Sequence, residues 1–186
     1  MPFTPFHFGP GLFGKSLLSR YFSWSAFIAS QVVIDFETLY YMIQRAYPIH
    51  RFFHTILGAT LAGIIVGVGL VGLKSIIKTM APQSTDFIAS LSPSLKAEVS
   101  IMGLLVGALI GGISHPFLDG MMHRDVRPFS PWSDANPLLR VIGVEALHLL
   151  CLSLGIIGLI FMATRLYREG LANKSVQPTR ACGPRG

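Results

Sequence analysis

Long apolar stretches separated by short polar ones set the pattern of this chain. Residues 55–73 (TILGATLAGIIVGVGLVGL) run for 19 positions without a charge. Residues 99–118 and 141–164 form two more such runs, the second interrupted by Glu145 and His148. A fourth, 21–43, carries Asp35 and Glu37. About 20 mostly apolar residues in a helix cross the hydrocarbon core of a bilayer. Four runs of that length predict an all-α, polytopic membrane helix bundle: four long transmembrane helices plus a short amphipathic N-terminal helix. The expected helices are 10–20, 23–43, 53–77, 97–122 and 139–168. The stretch 80–96, with Pro82 and Pro93, reads as a loop. Residues 1–172 make one membrane-embedded domain, and 173–186 (NKSVQPTRACGPRG) a disordered tail without periodicity.

Composition agrees with lipid as the solvent. Of 186 residues, 51% are hydrophobic and 13% charged, against roughly 25% charged in an average soluble domain. The opening MPFTPFHFGPG lacks the basic start and cleavage site of a signal peptide. Cys151 and Cys182 build neither a disulfide framework nor a zinc-binding pair. The net charge of +6 fits loops that face anionic lipid better than nucleic-acid binding, so membrane lipid is the expected partner; a lipid-like substrate is expected from a polar site near the membrane surface. Lys15, Arg20, Lys74, Lys78, Lys96, Arg165, Arg168, Lys174, Arg180 and Arg185 fall at one side of the predicted bundle; Arg45, Arg51, Arg124, Arg127 and Arg140 fall at the other. Ten against five puts the first side in the cytoplasm. Gly63 and Gly67, and likewise Gly103, Gly107 and Gly111, recur every four residues, a spacing that lets helices approach closely in lipid.

The same topology gathers His7, His50, His54, His115, His123 and His148 at the non-cytoplasmic end, with Asp35, Glu37, Asp119, Asp125, Asp134 and Glu145. Ionisable groups at membrane depth are costly unless they are paired or bound to something. His50 and His54 are four apart, on one helical face; His115 and Asp119 repeat that spacing, and His123 follows four later. Imidazole and carboxylate together suit a divalent ion, zinc first, with manganese or iron as alternatives. The expected ligands are His7, Asp35, His50, His54, His115, Asp119 and His123. Glu37 lies roughly 200° around the helix from Asp35, so the two do not readily face one ion. Glu145 and His148 either bind a second ion or hydrogen-bond to each other and a neighbour. Asp125 and Arg127 read as a loop ion pair, with substrate positioning or support of His123 as the other role. The 129–132 stretch (FSPW) reads as an interfacial aromatic anchor, with a substrate wall as the alternative.

His7, then Asp35-Phe-Glu37 in a hydrophobic run, then His50-Arg-x-x-His54-Thr55, then Ser114-His115-x-x-x-Asp119 is an order that resembles the membrane-bound metal-dependent hydrolases, also called LexA-binding, inner-membrane-associated hydrolases. The resemblance covers about residues 1–140 and implies a multi-pass protein of the inner (cytoplasmic) membrane and metal-dependent hydrolysis, without naming a substrate. A fainter similarity, through Asp35, His50, His115, Asp119 and His123, is to zinc-dependent phospholipases C. Under the hydrolase reading the ion lowers the pKa of water toward about 7, and a carboxylate not used as a ligand, Glu37 or Asp125, accepts the proton. The alternative expectation is a non-hydrolytic membrane protein: a metal transporter, or a bundle tied by a structural metal.

Overall fold

The computed structural model describes residues 5–81 and 93–176. Among them are six α-helices and no strand. These are α1 (Phe8–Leu18), α2 (Trp24–Ile43), α3 (Ile56–Met80), α4 (Pro93–Val99), α5 (Ile101–Met122) and α6 (Val144–Val176). Four of them, α2, α3, α5 and the Val144–Arg168 part of α6, are long and apolar enough to cross a membrane, the architecture of a multi-pass membrane protein. Their outer faces carry the expected lipid surface: Ile64, Ile65 and Val68 on α3, and Leu149, Leu152 and Ile160 on α6, are all exposed. In water such a surface would drive aggregation; in lipid it is the solvated face.

Helix α5 is central. It packs against α2 and α3, which also touch each other, while α6 packs along α1. Glycine makes the contacts at α5 possible. A Cβ on Gly107 would lie 2.2 Å from the Ser23 carbonyl oxygen, and one on Gly112 would lie 2.4 Å from that of Ala59. Each of the first three long helices starts on a hydroxyl cap: Ser23 accepts from the Ala26 N–H, Thr55 from Gly58, and Ser100 from Gly103. Such caps satisfy amide groups that the first turn leaves without a helical partner.

Besides shifts of two or three residues in α1 and α3, and a helical turn at 93–96 where a loop is expected, three boundaries differ from expectation. The helix read as 97–122 is broken at Ser100, where extended backbone separates α4 from α5 and the Ser100 hydroxyl caps the new start. Residues 139–143 are not helical: the chain turns there, with Arg140 at φ 57° and its N–H donating to the Met121 carbonyl. The last helix therefore begins at Val144 and extends to Val176, into the segment read as a tail; 177–186 lie outside the described residues, as does 82–92 of the expected loop.

Candidate metal centre

Four segments deliver the polar residues to one end of the bundle. Helix α2 brings Gln31, Asp35 and Thr38 on one face, spaced by a helical turn. A short 3₁₀ turn, Phe52–His54, presents His54 just ahead of α3. Helix α5 supplies His115 and Asp119, and the 3₁₀ turn Pro5–His7 sets His7 against them. Asp35 lies eight residues before the end of α2, so the centre sits about 12 Å inside that helix's end. His7, Asp35, His50, His54, His115 and Asp119 are all buried.

Asp119 is the hub. Its Oδ2 lies 3.2 Å from His115 Nε2 and 3.3 Å from His54 Nε2, and its Oδ1 lies 3.2 Å from His7 Nε2. His115 Nε2 is also 3.5 Å from Asp35 Oδ1. One ligand atom each from Asp35, His54, His115 and Asp119 falls within 4.8 Å of the other three. Despite these short separations, His115 Nε2 and both ring nitrogens of His7 have no hydrogen-bond partner. The atoms are close yet not aimed at one another as donor and acceptor. Atoms around a tetrahedral ion behave in this way: bonds of 2.0–2.1 Å put neighbouring ligands about 3.3–3.4 Å apart, with lone pairs aimed at the ion. This buried His/Asp group can hold a metal ion. The Thr38 hydroxyl, 3.3 Å from His54 Nε2, is the protein group that competes for that nitrogen.

The far sides of two rings are held. His115 Nδ1 is hydrogen-bonded to Gln31 Oε1, and the Gln31 amide donates in turn to the Gly111 carbonyl at 3.1 Å. His54 Nδ1 lies 3.4 Å from Glu37 Oε2, which also accepts from the Phe53 N–H at 2.9 Å. With Nδ1 as the protonated nitrogen, each ring presents its Nε2 lone pair to the centre. The His54 imidazole is subject to opposing effects: burial would lower its pKa, but the carboxylates of Asp119 and Glu37 raise it on balance.

His50, His123 and Asp125 form an adjoining set. The His50 ring is stacked on His123 with centroids 4.5 Å apart, and lies edge-on to His54 at 4.7 Å. Asp125 Oδ1 is 2.9 Å from His50 Nδ1, and Oδ2 accepts from the N–H groups of Ile49 and His50. Its carboxyl is below the usual range: burial pushes it up, but the bonds with His50 outweigh that. Burial and the neighbouring His54 lower the pKa of His50, and burial lowers that of His123. Three accepted hydrogen bonds commit the Asp125 oxygens to fixing the 49–50 turn and the His50 ring. The set therefore serves better as a held imidazole than as a complete cation site.

Most expected site residues meet here, with corrections to their roles. His50 and His123 sit beside the four-atom group and not in it. Glu37 and Asp125, expected as proton acceptors, each hold a histidine at Nδ1. Asp125 does not pair with Arg127, which instead meets Asp134 at 3.0 Å, both side chains exposed. Glu145 is exposed and outside both sets, while His148 stacks on Phe6 at 4.2 Å. Gln31 and Thr38 join the site beyond the residues expected from the sequence: Gln31 precedes Asp35 by four and Thr38 follows by three, so all three share a face of α2, but the spacing alone does not say what a neutral side chain there would touch.

No curated protein and no solved structure matches the chain. A family model does, over residues 1–182 of the 186. The chain belongs to that family, described as a domain of unknown function, DUF4184.

Proposed function

We propose that this protein is a metal-dependent hydrolase of the inner membrane, with zinc as its ion, acting on an ester or phosphoester of an amphiphile. The observation that carries this reading is the close approach of Asp35, His54, His115 and Asp119 around a buried His115 Nε2 that no protein group hydrogen-bonds. The order of motifs shared with membrane-bound metal-dependent hydrolases supports it. Three of Asp35, His54, His115 and Asp119 would suffice to hold the ion and leave a position open for water, with His7 beside Asp119 Oδ1. Gln31 and Glu37 orient two of the rings. A bound dication supplies the Lewis acidity that makes water a nucleophile near neutral pH.

His50 is the proton acceptor in this scheme. Asp125 fixes its Nδ1, so Nε2 is the nitrogen left to take the proton of the attacking water. The water oxygen bonds to the acyl carbon or phosphorus as the bond to the alcohol oxygen breaks. His50 then returns the proton to the alcohol. The ligands lie toward one end of the bundle, which favours one-sided access over the midplane site of a transporter.

The test is elemental analysis of detergent-purified protein prepared without chelators, alongside hydrolysis of short-chain ester and phosphodiester probes. Wild type should carry zinc and cleave a probe; His115→Ala should lose both. A metal-free wild type, or a His115→Ala variant that keeps metal and activity, overturns the reading. Bound metal with no cleavage of any probe would favour a structural ion.

A further inference from the structure

A cavity of about 500 Å³ opens beside the metal centre. His50 forms part of its wall, and the His50 ring lies edge-on to His54 of the metal centre. Two arginines also line it, Arg51 from the turn ahead of α3 and Arg127 from the loop after α5. The rest of the lining includes Phe52, Leu57 and Pro131, which makes the groove largely apolar apart from its cations. The 49–56 segment that forms one wall is tied to the opposite loop through the Ile56 N–H, which donates to the Pro128 carbonyl at 2.8 Å.

The charges around the groove leave the arginines available. Arg51 uses Nε on the Pro48 carbonyl at 2.9 Å, and its guanidinium carbon lies 3.7 Å from the centre of the Tyr41 ring. Those contacts fix the plane of the fork while leaving its two terminal nitrogens without a protein acceptor among the described residues. Arg127 meets Asp134 at 3.0 Å, but both side chains are more than half exposed. Exposed pairs of this kind contribute little and exchange readily. The other nearby acids are occupied: Glu37 with His54 and the backbone of 51–53, and Asp125 with His50. Tyr47 and Trp132, the chain neighbours of the lining residues Pro48 and Pro131, are each 77% exposed, as aromatic residues at headgroup depth are.

We propose that this groove seats the phosphate-bearing head of an anionic amphiphile, clasped by Arg51 and Arg127 with its apolar portion against Phe52 and Leu57. A planar guanidinium suits phosphate oxygens through paired N–H donors, and two of them on one groove select an anion over a zwitterion. The proposal rests on the hydrolase reading for its consequence: the bound head is delivered beside His50, next to the ion. It narrows the substrate to a phosphate-containing amphiphile.

The test is calorimetric titration of full-length protein in a neutral maltoside detergent. The probes are dioctanoyl phosphatidate, dioctanoyl phosphatidylcholine and inorganic phosphate. Wild type should bind one phosphatidate at least about ten-fold more tightly than phosphatidylcholine, and Arg51→Gln/Arg127→Gln should lose that preference. Arg51→Lys/Arg127→Lys keeps both charges but loses the paired N–H donors, and should retain part of the preference, which separates lost charge from a disturbed fold. Equal binding of the two lipids, or an unchanged preference in the Gln variant, overturns the proposal. Inorganic phosphate that binds as tightly as phosphatidate, with the same arginine dependence, assigns the groove to free phosphate and also overturns it. Metal content and hydrolysis, read on the same preparations and on His115→Ala, keep the two readings apart. Hydrolysis that needs His115 without phosphatidate preference sinks the groove alone. Arginine-dependent phosphatidate binding by a protein with no metal and no hydrolysis sinks the enzyme reading alone.

Discussion

The two ends of this bundle both bury charged side chains, and they do so in opposite ways. At the end away from the histidines, the Lys15 ammonium is buried and donates to Glu98 at 2.8 Å and to the Phe22 carbonyl at 2.7 Å. Glu98 accepts further bonds from the N–H groups of Trp24 and Ser25 and the hydroxyls of Ser23 and Ser25. Every bond there is short and directional, and together they pin α1 and α4 to the start of α2. At the histidine end, Asp119 has three imidazole nitrogens within 3.3 Å, yet His7 and His115 keep nitrogens without hydrogen bonds. Buried polar groups are nearly always satisfied, and the exceptions mark sites with another purpose. The first end is complete as a protein structure; the second leaves buried nitrogens unbonded and can hold a cation.

That contrast breaks most sharply at Asp119. Asp119→Asn keeps the size and one oxygen of the side chain but removes the charge shared among His7, His54 and His115. Bound metal should fall more than about 100-fold in affinity, beyond the typical 10–100-fold loss for groups that only support a ligand. The helices should still assemble, because α5 packs through Gly107, Ala108 and Gly112, away from Asp119. Elemental analysis and thermal melting in detergent read both quantities. Full metal occupancy in Asp119→Asn would make Asp119 a structural hydrogen-bonding residue and remove it from the ligands.

Glu98→Gln is the counterpart at the completed end. It leaves Lys15 buried opposite a neutral amide and removes the charge from several hydrogen bonds. Stability should fall by about 2 kcal/mol, within the range for hydrogen bonds to charged groups. Metal content should not change, since no ligand is touched. A loss of metal equal to that of Asp119→Asn would mean that the two ends are not independent.

How much of this contrast was legible in the sequence depends on the distance over which each signal acts. The four spans are written in runs of apolar residues, and His50/His54 and His115/Asp119 in a helical spacing that needs no tertiary information. The convergence of Asp35 with His54, His115 and Asp119 followed once those helices were laid side by side. Gln31 escaped because a neutral amide in an apolar helix announces nothing until its partner is known, and that partner, His115, is 84 residues away. The Lys15–Glu98 pair escaped for the same reason, across 83 residues. The false helical start at 139 has a different cause. Leu138, Leu139, Val141 and Ile142 look like the beginning of a span, but the Arg140 N–H bonds back to Met121 and turns the chain. Local hydrophobicity could not reveal that return.

Glu37→Gln sharpens the histidine end with a smaller effect. Its amide oxygen can still accept from the Phe53 N–H, but the charge facing His54 Nδ1 is gone. His54 should be a poorer ligand and metal affinity should drop about ten-fold, the low end for a supporting group. Competition with a zinc chelator of known affinity measures this. An effect as large as that of Asp119→Asn would make Glu37 a ligand.

The smallest expected effect lies in the acid response of the completed end. The Glu98 carboxyl is held at about 2, against an ordinary 4.5. Burial alone would raise it; the Lys15 ammonium and the donors of Ser25 and Trp24 hold it down. A carboxyl depressed in the folded state contributes stability that is fully present above its ordinary pKa and is lost as pH falls through the folded value. The window therefore runs from about pH 4.5 down to about 2. The carboxylate is 22% exposed, so solvent screens the gain and the shift in melting temperature should be modest. Wild type and Glu98→Gln, melted in the same detergent, should differ by a constant amount above pH 5 and converge as pH falls toward 2. The histidine cluster titrates in both proteins and cancels in the difference. A gap that stays constant to the bottom of the window would mean that the Glu98 charge contributes nothing, and that geometry alone holds α1 to α4.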